Sequence, residues 1–175
     1  MIIFIAGVHG VGKSFLCKNY SIKHSILHKS ASQLIKEFDS NSVSINKQTK
    51  DINRNQEILI QAVNSIHKQN RSMLLDGHFI LINTTGDFTS ISPNVFKNLN
   101  IDGIVLIEND QNVIEKRLSE RDRGLVNYNI ERMLTLEKEQ ALLVANSFSI
   151  PLEILFSPTQ KAFEEAISRL KKARQ

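Results

Sequence analysis

The chain has 175 residues, 41 % apolar and 23 % charged, and its 22 Lys and Arg against 18 Asp and Glu leave a formal charge of +4. That is about one domain with a sizeable core, and the single cysteine, Cys17, excludes a disulfide framework or a Cys-rich zinc module. So small a positive surplus suits an anionic ligand such as a nucleotide without demanding nucleic acid, and with no Trp the chain supplies few platforms for stacking a single strand.

Residues 2–6 are a β-branched and aromatic run, the pattern of a strand covered on both faces. A Gly-rich loop follows, then a helix over 14–22 and a short strand over 25–28. Ser30 is placed to cap a helix carrying Leu34, Ile35 and Phe38, and Asp51 to cap a longer one through Ile52, Leu59, Val63 and Ile66. Between them, residues 40–56 are poor in apolar side chains and read as a polar protrusion. A strand over 72–76 ends at Gly77, and residues 83–93 read as a surface loop. Next come a strand over 101–108, a helix from Asp110 through Arg121 and a helix over 129–148. Pro151 precedes a strand over 152–156, and residues 158–174 close the chain as a helix. Five strands alternating with helices predict an α/β protein with a parallel sheet and one domain. No apolar run approaches the ~18 residues of a membrane span. The first residues lack a basic segment, so a cytoplasmic protein without signal peptide is expected.

Gly7, Gly10, Gly12, Lys13 and Ser14, with Val8, His9 and Val11 between, match G-x-x-x-x-G-K-[S/T] without deviation. A strand turning into a helix around an anion must aim backbone N–H groups inward, and side chains at the glycines would obstruct that approach. Lys13 supplies charge to β- and γ-phosphates, and Ser14 can ligate Mg²⁺. Chance yields this pattern at roughly 4 × 10⁻⁵ per starting position, so ATP with Mg²⁺ is the expected ligand. Asp76 ends a strand at the edge where such sheets bind ligands. It is expected to hold a Mg²⁺ water or orient Ser14, although a capping Asp before Gly77 would look the same. GTPases carry an Asn-Lys-x-Asp loop, which is absent here. Motor and AAA-type ATPases carry a strand ending in Asp-Glu, whereas Asp76 is followed by Gly77 and His78, so these classes fit less well.

What remains resembles the nucleoside monophosphate kinase family, and within it the small archaeal-type adenylate kinases. The likeness begins with residues 5–14 and continues through residues 30–36, similar to that family's acceptor-site helix. It also covers Leu75, Asp76, Gly77 and His78, and the stretch 106–110 followed by Arg117 and Arg121. The resemblance implies a three-layer P-loop fold with a five-stranded parallel sheet of order 2-3-1-4-5. It places an acceptor-binding region at about 30–69 and a short lid at about 121–128. It implies that the loop residues through Phe15 hold ATP, that Arg117 stacks on the donor adenine, and that Arg121 and Arg123 contact phosphates, with Arg132 a weaker candidate. Lys13, Asp76 and Arg121 would carry catalysis. Lys36 stands where the family grips the acceptor phosphate with arginine, and a lysine offers charge without the bidentate fork. An exposed helical lysine reads equally well there. The arginine that commonly follows the Asp-Gly turn is replaced by Phe79, Ile80, Leu81 and Ile82. Arg54, Lys47 and Lys50 are possible substitutes, and His78 can serve the acceptor or simply pack. The acceptor is therefore expected to be a nucleoside monophosphate, with a nucleoside, another metabolite or a nucleic-acid 5′-hydroxyl as the alternative. An ATP-gated interaction protein is a third reading. No metal is assigned to His24 and His28, Cys17 is read as a small core residue, and no protein partner is indicated.

Overall fold

A computed structural model describes residues 1–41, 52–69, 71–83, 86–122 and 128–173. Five parallel strands form the central sheet: β1 (Ile2–Ala6), β2 (Leu27–Ser30), β3 (Met73–Asp76), then β6 (Gly103–Glu108) and β7 (Leu152–Phe156). They lie in the order β2-β3-β1-β6-β7, which is 2-3-1-4-5 when this sheet alone is counted. A separate antiparallel hairpin, β4 (Ile80–Ile82) and β5 (Phe88–Ser90), sits between the third and fourth strands of the sheet in sequence.

Successive side chains of a strand point to opposite faces, and both faces here are apolar. Ile2, Phe4, Ala6, Met73, Leu75, Ile104 and Leu106 pack on one side. They meet α2 (Ala31–Asn41), α3 (Ile52–Lys68), α4 (Pro93–Leu99) and the body of α6 (Ile130–Phe148). Ile3, Ile5, Leu74, Val105 and Ile107 face α1 (Lys13–His24), α5 (Gln111–Asp122) and α7 (Gln160–Lys172) on the other. The run of apolar residues in β1 is thus read by two cores rather than one, and the three-layer expectation is met.

Local chemistry sets the element ends. Ser30 and Gln33 form a reciprocal capping box, Gln33 N–H donating to Ser30 Oγ (3.2 Å) and Ser30 N–H to Gln33 Oε1 (3.0 Å). Asn129 and Thr159 accept from the third residue of α6 and α7. The second strand begins two residues later than expected, because Ser25 ends α1 in the left-handed conformation (φ 51°). The loop expected over 83–93 is corrected: Phe88, Thr89 and Ser90 pair with β4, and Pro93 opens a helix. Residues 52–56, assigned to the polar protrusion, are the first turn of α3. Residues 40–41 of that protrusion end α2, whereas 42–51 with Lys47, Lys50 and Asp51, and most of the lid with Arg123, lie outside the described residues. Among the described residues no helix is long and apolar enough to cross a membrane.

Candidate active site

The parallel register brings the carboxyl ends of the inner strands to one edge. Asp76 of β3 lies level with Ser30 of β2 and Ile5 of β1, and Ala6 with Leu106 of β6. Ligands of open parallel sheets bind at this edge. From it β1 runs into the loop 7–12 and then α1. Gly7 has φ 139°, and a Cβ there would overlap the Ile107 carbonyl oxygen; Gly12 caps α1 at φ 109°. Both positions need glycine, one for space and one for conformation.

Lys13 is buried, its Nζ donating to the carbonyls of Gly7 (2.6 Å) and Val8 (3.2 Å) and standing 3.9 Å from Asp76 Oδ1. Ser14 Oγ donates to Asp76 Oδ2 at 2.5 Å. His28 approaches the same oxygen with Nε2 at 3.7 Å, beyond hydrogen-bonding distance but within reach of a charge interaction. Burial opposes ionisation of Asp76, yet His28, the Lys13 charge and the Ser14 hydroxyl outweigh it and hold the carboxyl below its ordinary value. An ionised carboxylate beside a hydroxyl is a pair of oxygen ligands that fits Mg²⁺, which completes its shell from water and phosphates.

A cleft of about 640 Å³ opens from this cluster. His9, Gly10, Gly12, Lys13, Ser14, Phe15, Asp76, His78 and Arg117 line it, so the structure brings most of the sequence-derived candidates together. Phe15 is 69 % exposed. Val8 and Val11 turn their side chains into the core under the loop. The Arg117 guanidinium donates to the Gly10 and Val11 carbonyls (3.2 and 3.1 Å). The rings of His9 and His78 lie 4.0 Å apart. Burial, followed by the charges of Lys13 and His9, pushes the His78 imidazole well below its ordinary value, so it is neutral at pH 7. Beyond His78 the wall is formed by the end of β2, by α2 and α3, and by the hairpin and the residue after it: Ser30, Ser32, Asn55 and Gln56 with Ile35, Leu59, Leu81 and Ile91. Lys36 is exposed on α2 and does not line this wall; Arg54 donates to Asp39 at 2.8 Å and does not line it either. Arg121 lies in the last turn of α5, and Arg132 donates its backbone N–H to the Asn129 cap.

Glu137 escaped the sequence reading. Only 1 % exposed on α6, it accepts from the N–H groups of Gly7 (3.1 Å), Phe79 (3.0 Å) and Ile80 (2.9 Å). Burial pushes its carboxyl up, while those amides and the Lys13 charge pull it down. Its signal was a glutamate on the apolar stripe of α6, four residues from Met133 on one side and from Ala141 on the other.

Sheet order, glycine loop, buried lysine and Ser–Asp pair together define a P-loop nucleotide-binding domain. The chain belongs to the AAA domain family, whose model matches residues 6–133, from the end of β1 into α6. This family match accords with a P-loop kinase, and the residue after Asp76 is glycine rather than glutamate. No curated protein sequence matches the chain significantly. Among solved structures, shikimate kinase from Aquifex aeolicus vf5 superposes with TM-score 0.57 at 14 % identity, covering 99 % of this chain and 98 % of that one. A gluconokinase from Sinorhizobium meliloti 1021 gives 0.56 at 12 %, covering 98 % and 91 %. A sugar kinase from Janibacter sp. HTCC2649 gives 0.56 at 13 %, covering 96 % and 90 %. At such identities the likeness is one of fold.

Proposed function

We propose that the protein is a Mg-ATP-dependent kinase that phosphorylates a hydroxyl of a small, uncharged acceptor. One observation carries this reading: a single cleft joins the phosphate loop to a wall whose described residues are neutral and half apolar. Phosphoryl transfer asks the protein mainly for alignment and charge neutralisation. Lys13 and the loop amides suit the triphosphate, and Mg²⁺ held by Ser14 and Asp76 would neutralise its developing charge. Ser30, Ser32, Asn55 and Gln56 offer hydrogen bonds to a polar acceptor, and Ile35, Leu59, Leu81 and Ile91 its apolar flanks. The acceptor oxygen attacks the γ-phosphorus, the bond to the bridging oxygen breaks, ADP leaves and the hydroxyl proton passes to solvent.

The nucleoside monophosphate reading asks for cations around the acceptor phosphate. Among the described lining residues the lysine and arginine are Lys13 and Arg117, both at the loop end. The names of the kinases that share the fold agree with a hydroxyl acceptor. The test is a panel of nucleosides, sugars, polyols and nucleoside monophosphates incubated with γ-labelled ATP and Mg²⁺, with Lys13→Ala as control. Label on a neutral hydroxyl compound is expected. Label confined to monophosphates restores the nucleotide-kinase reading. Phosphate released to water whatever the acceptor leaves an ATPase or an ATP-gated interaction protein.

A further inference from the structure

Glu137 is buried and does not line the cleft, yet it bonds both the phosphate loop and the turn after Asp76. We infer that Glu137 is a positioning residue for nucleotide binding, its carboxylate tying the first peptide of the phosphate loop to the turn that follows Asp76. This rests on the proposal that the loop binds ATP. Oε1 accepts from Gly7, 130 residues away in sequence, and also from Phe79; Oε2 accepts from Phe79 and Ile80. Every partner is a donor, which suits a carboxylate and no other side chain of this length. No other residue fits at this end of the loop, because Gly7 has φ 139° and a Cβ there would overlap the Ile107 carbonyl oxygen.

The reason for an anchor of this kind lies in Lys13. Its ammonium donates to the Gly7 and Val8 carbonyls. A lysine that moves to the β- and γ-phosphates gives up those contacts, and the loop then needs a hold that does not depend on it. Glu137 holds the N–H of the same glycine from the opposite side of the residue. On its other oxygen it fixes Phe79 and Ile80, just past Asp76, and Gly77 N–H continues the ladder to the Ile5 carbonyl at 3.0 Å. Loop and Asp76 are therefore held at their spacing by contacts that do not involve Lys13, which preserves the Ser14–Asp76 pair.

Glu137→Gln keeps the shape but turns an amide donor toward a donor, and Glu137→Asp keeps the charge but is one methylene too short to span both sides. Calorimetric titration with Mg-ATP is compared for wild type, both variants and Lys13→Ala, alongside thermal unfolding without nucleotide. The expected result is that both variants unfold several degrees or more below wild type, because buried amides lose their acceptor, and lose about tenfold or more in Mg-ATP affinity at a temperature where they are folded. In wild type, the Gly7 and Phe79 amides are expected to exchange slowly by NMR both before and after Mg-ATP is added, a measurement that needs no variant to fold. Wild-type affinity in folded Glu137→Gln, or loss of Gly7 protection when Mg-ATP binds, overturns the role of Glu137 alone. A wild type that binds Mg-ATP no better than Lys13→Ala overturns the parent reading as well.

Discussion

Two buried carboxylates meet the same lysine and are pushed in opposite directions. Asp76 has a hydroxyl, an imidazole and an ammonium close by, and its ionised form wins against burial. Glu137 has peptide N–H groups and the Lys13 charge, and burial wins. A raised carboxyl means that the folded chain holds the proton more tightly than the unfolded one. Its stabilising contribution is therefore full below the ordinary value of 4.5 and is lost as pH rises through the folded value. Urea unfolding at a series of pH values between about 4 and 8 should show wild type losing stability relative to Glu137→Gln as pH rises. A difference that is flat, or that grows in favour of wild type, contradicts the assignment. Cys17 provides a second residue-level check. Burial first, and the negative Asp76 next, raise its thiol far above the ordinary value. It should resist alkylating reagents at pH 8 until the chain is unfolded; rapid labelling of the native protein would show that its burial is wrong.

At the scale of elements, legibility followed the strength of the local signal. The phosphate loop, the five sheet strands and the long helices were readable because apolar runs, caps and glycine spacing agree with the tertiary structure. Hairpin β4–β5 was not: Ile80, Leu81 and Ile82 show no alternation, and its turn is closed by Asn83, whose Oδ1 accepts from Asp87 N–H at 2.8 Å. Polar residues over 83–90 look like a loop whether or not they pair. The hairpin matters because it supplies Leu81 to the acceptor wall and follows Phe79 directly. Phe79 packs against Phe4 and Phe96, with ring centroids 5.1 and 4.5 Å away. Phe79→Ala should therefore lower the free energy of unfolding by about 3–5 kcal/mol in denaturant titration. A loss under about 1 kcal/mol would mean that the trio does not hold the turn against the sheet.

For the whole molecule, the donor half of the site was legible and the acceptor half was not. Donor residues are contiguous in sequence and their spacing is dictated by a phosphate. The acceptor wall draws a few residues each from α2 and α3 and one each from β4 and the loop before α4, and only the fold places Ser32, Asn55, Leu81 and Ile91 around one cleft. Lys36 and Arg54, chosen because cations attract phosphates, are displaced from that wall by helical phase and by Asp39. Glu137 shows the same limit, since its partners are 58 and 130 residues away. The account rests on the phosphate loop as the seat of a triphosphate that faces a neutral chamber. A crystal structure with Mg²⁺ and a non-hydrolysable ATP analogue measures this most directly. It should show the phosphates inside the 7–14 turn, the Lys13 ammonium moved onto them from the Gly7 and Val8 carbonyls, and the terminal phosphate pointing toward Ser32 and Asn55. An analogue bound elsewhere, or Lys13 still resting on those carbonyls beside an ordered triphosphate, would contradict it.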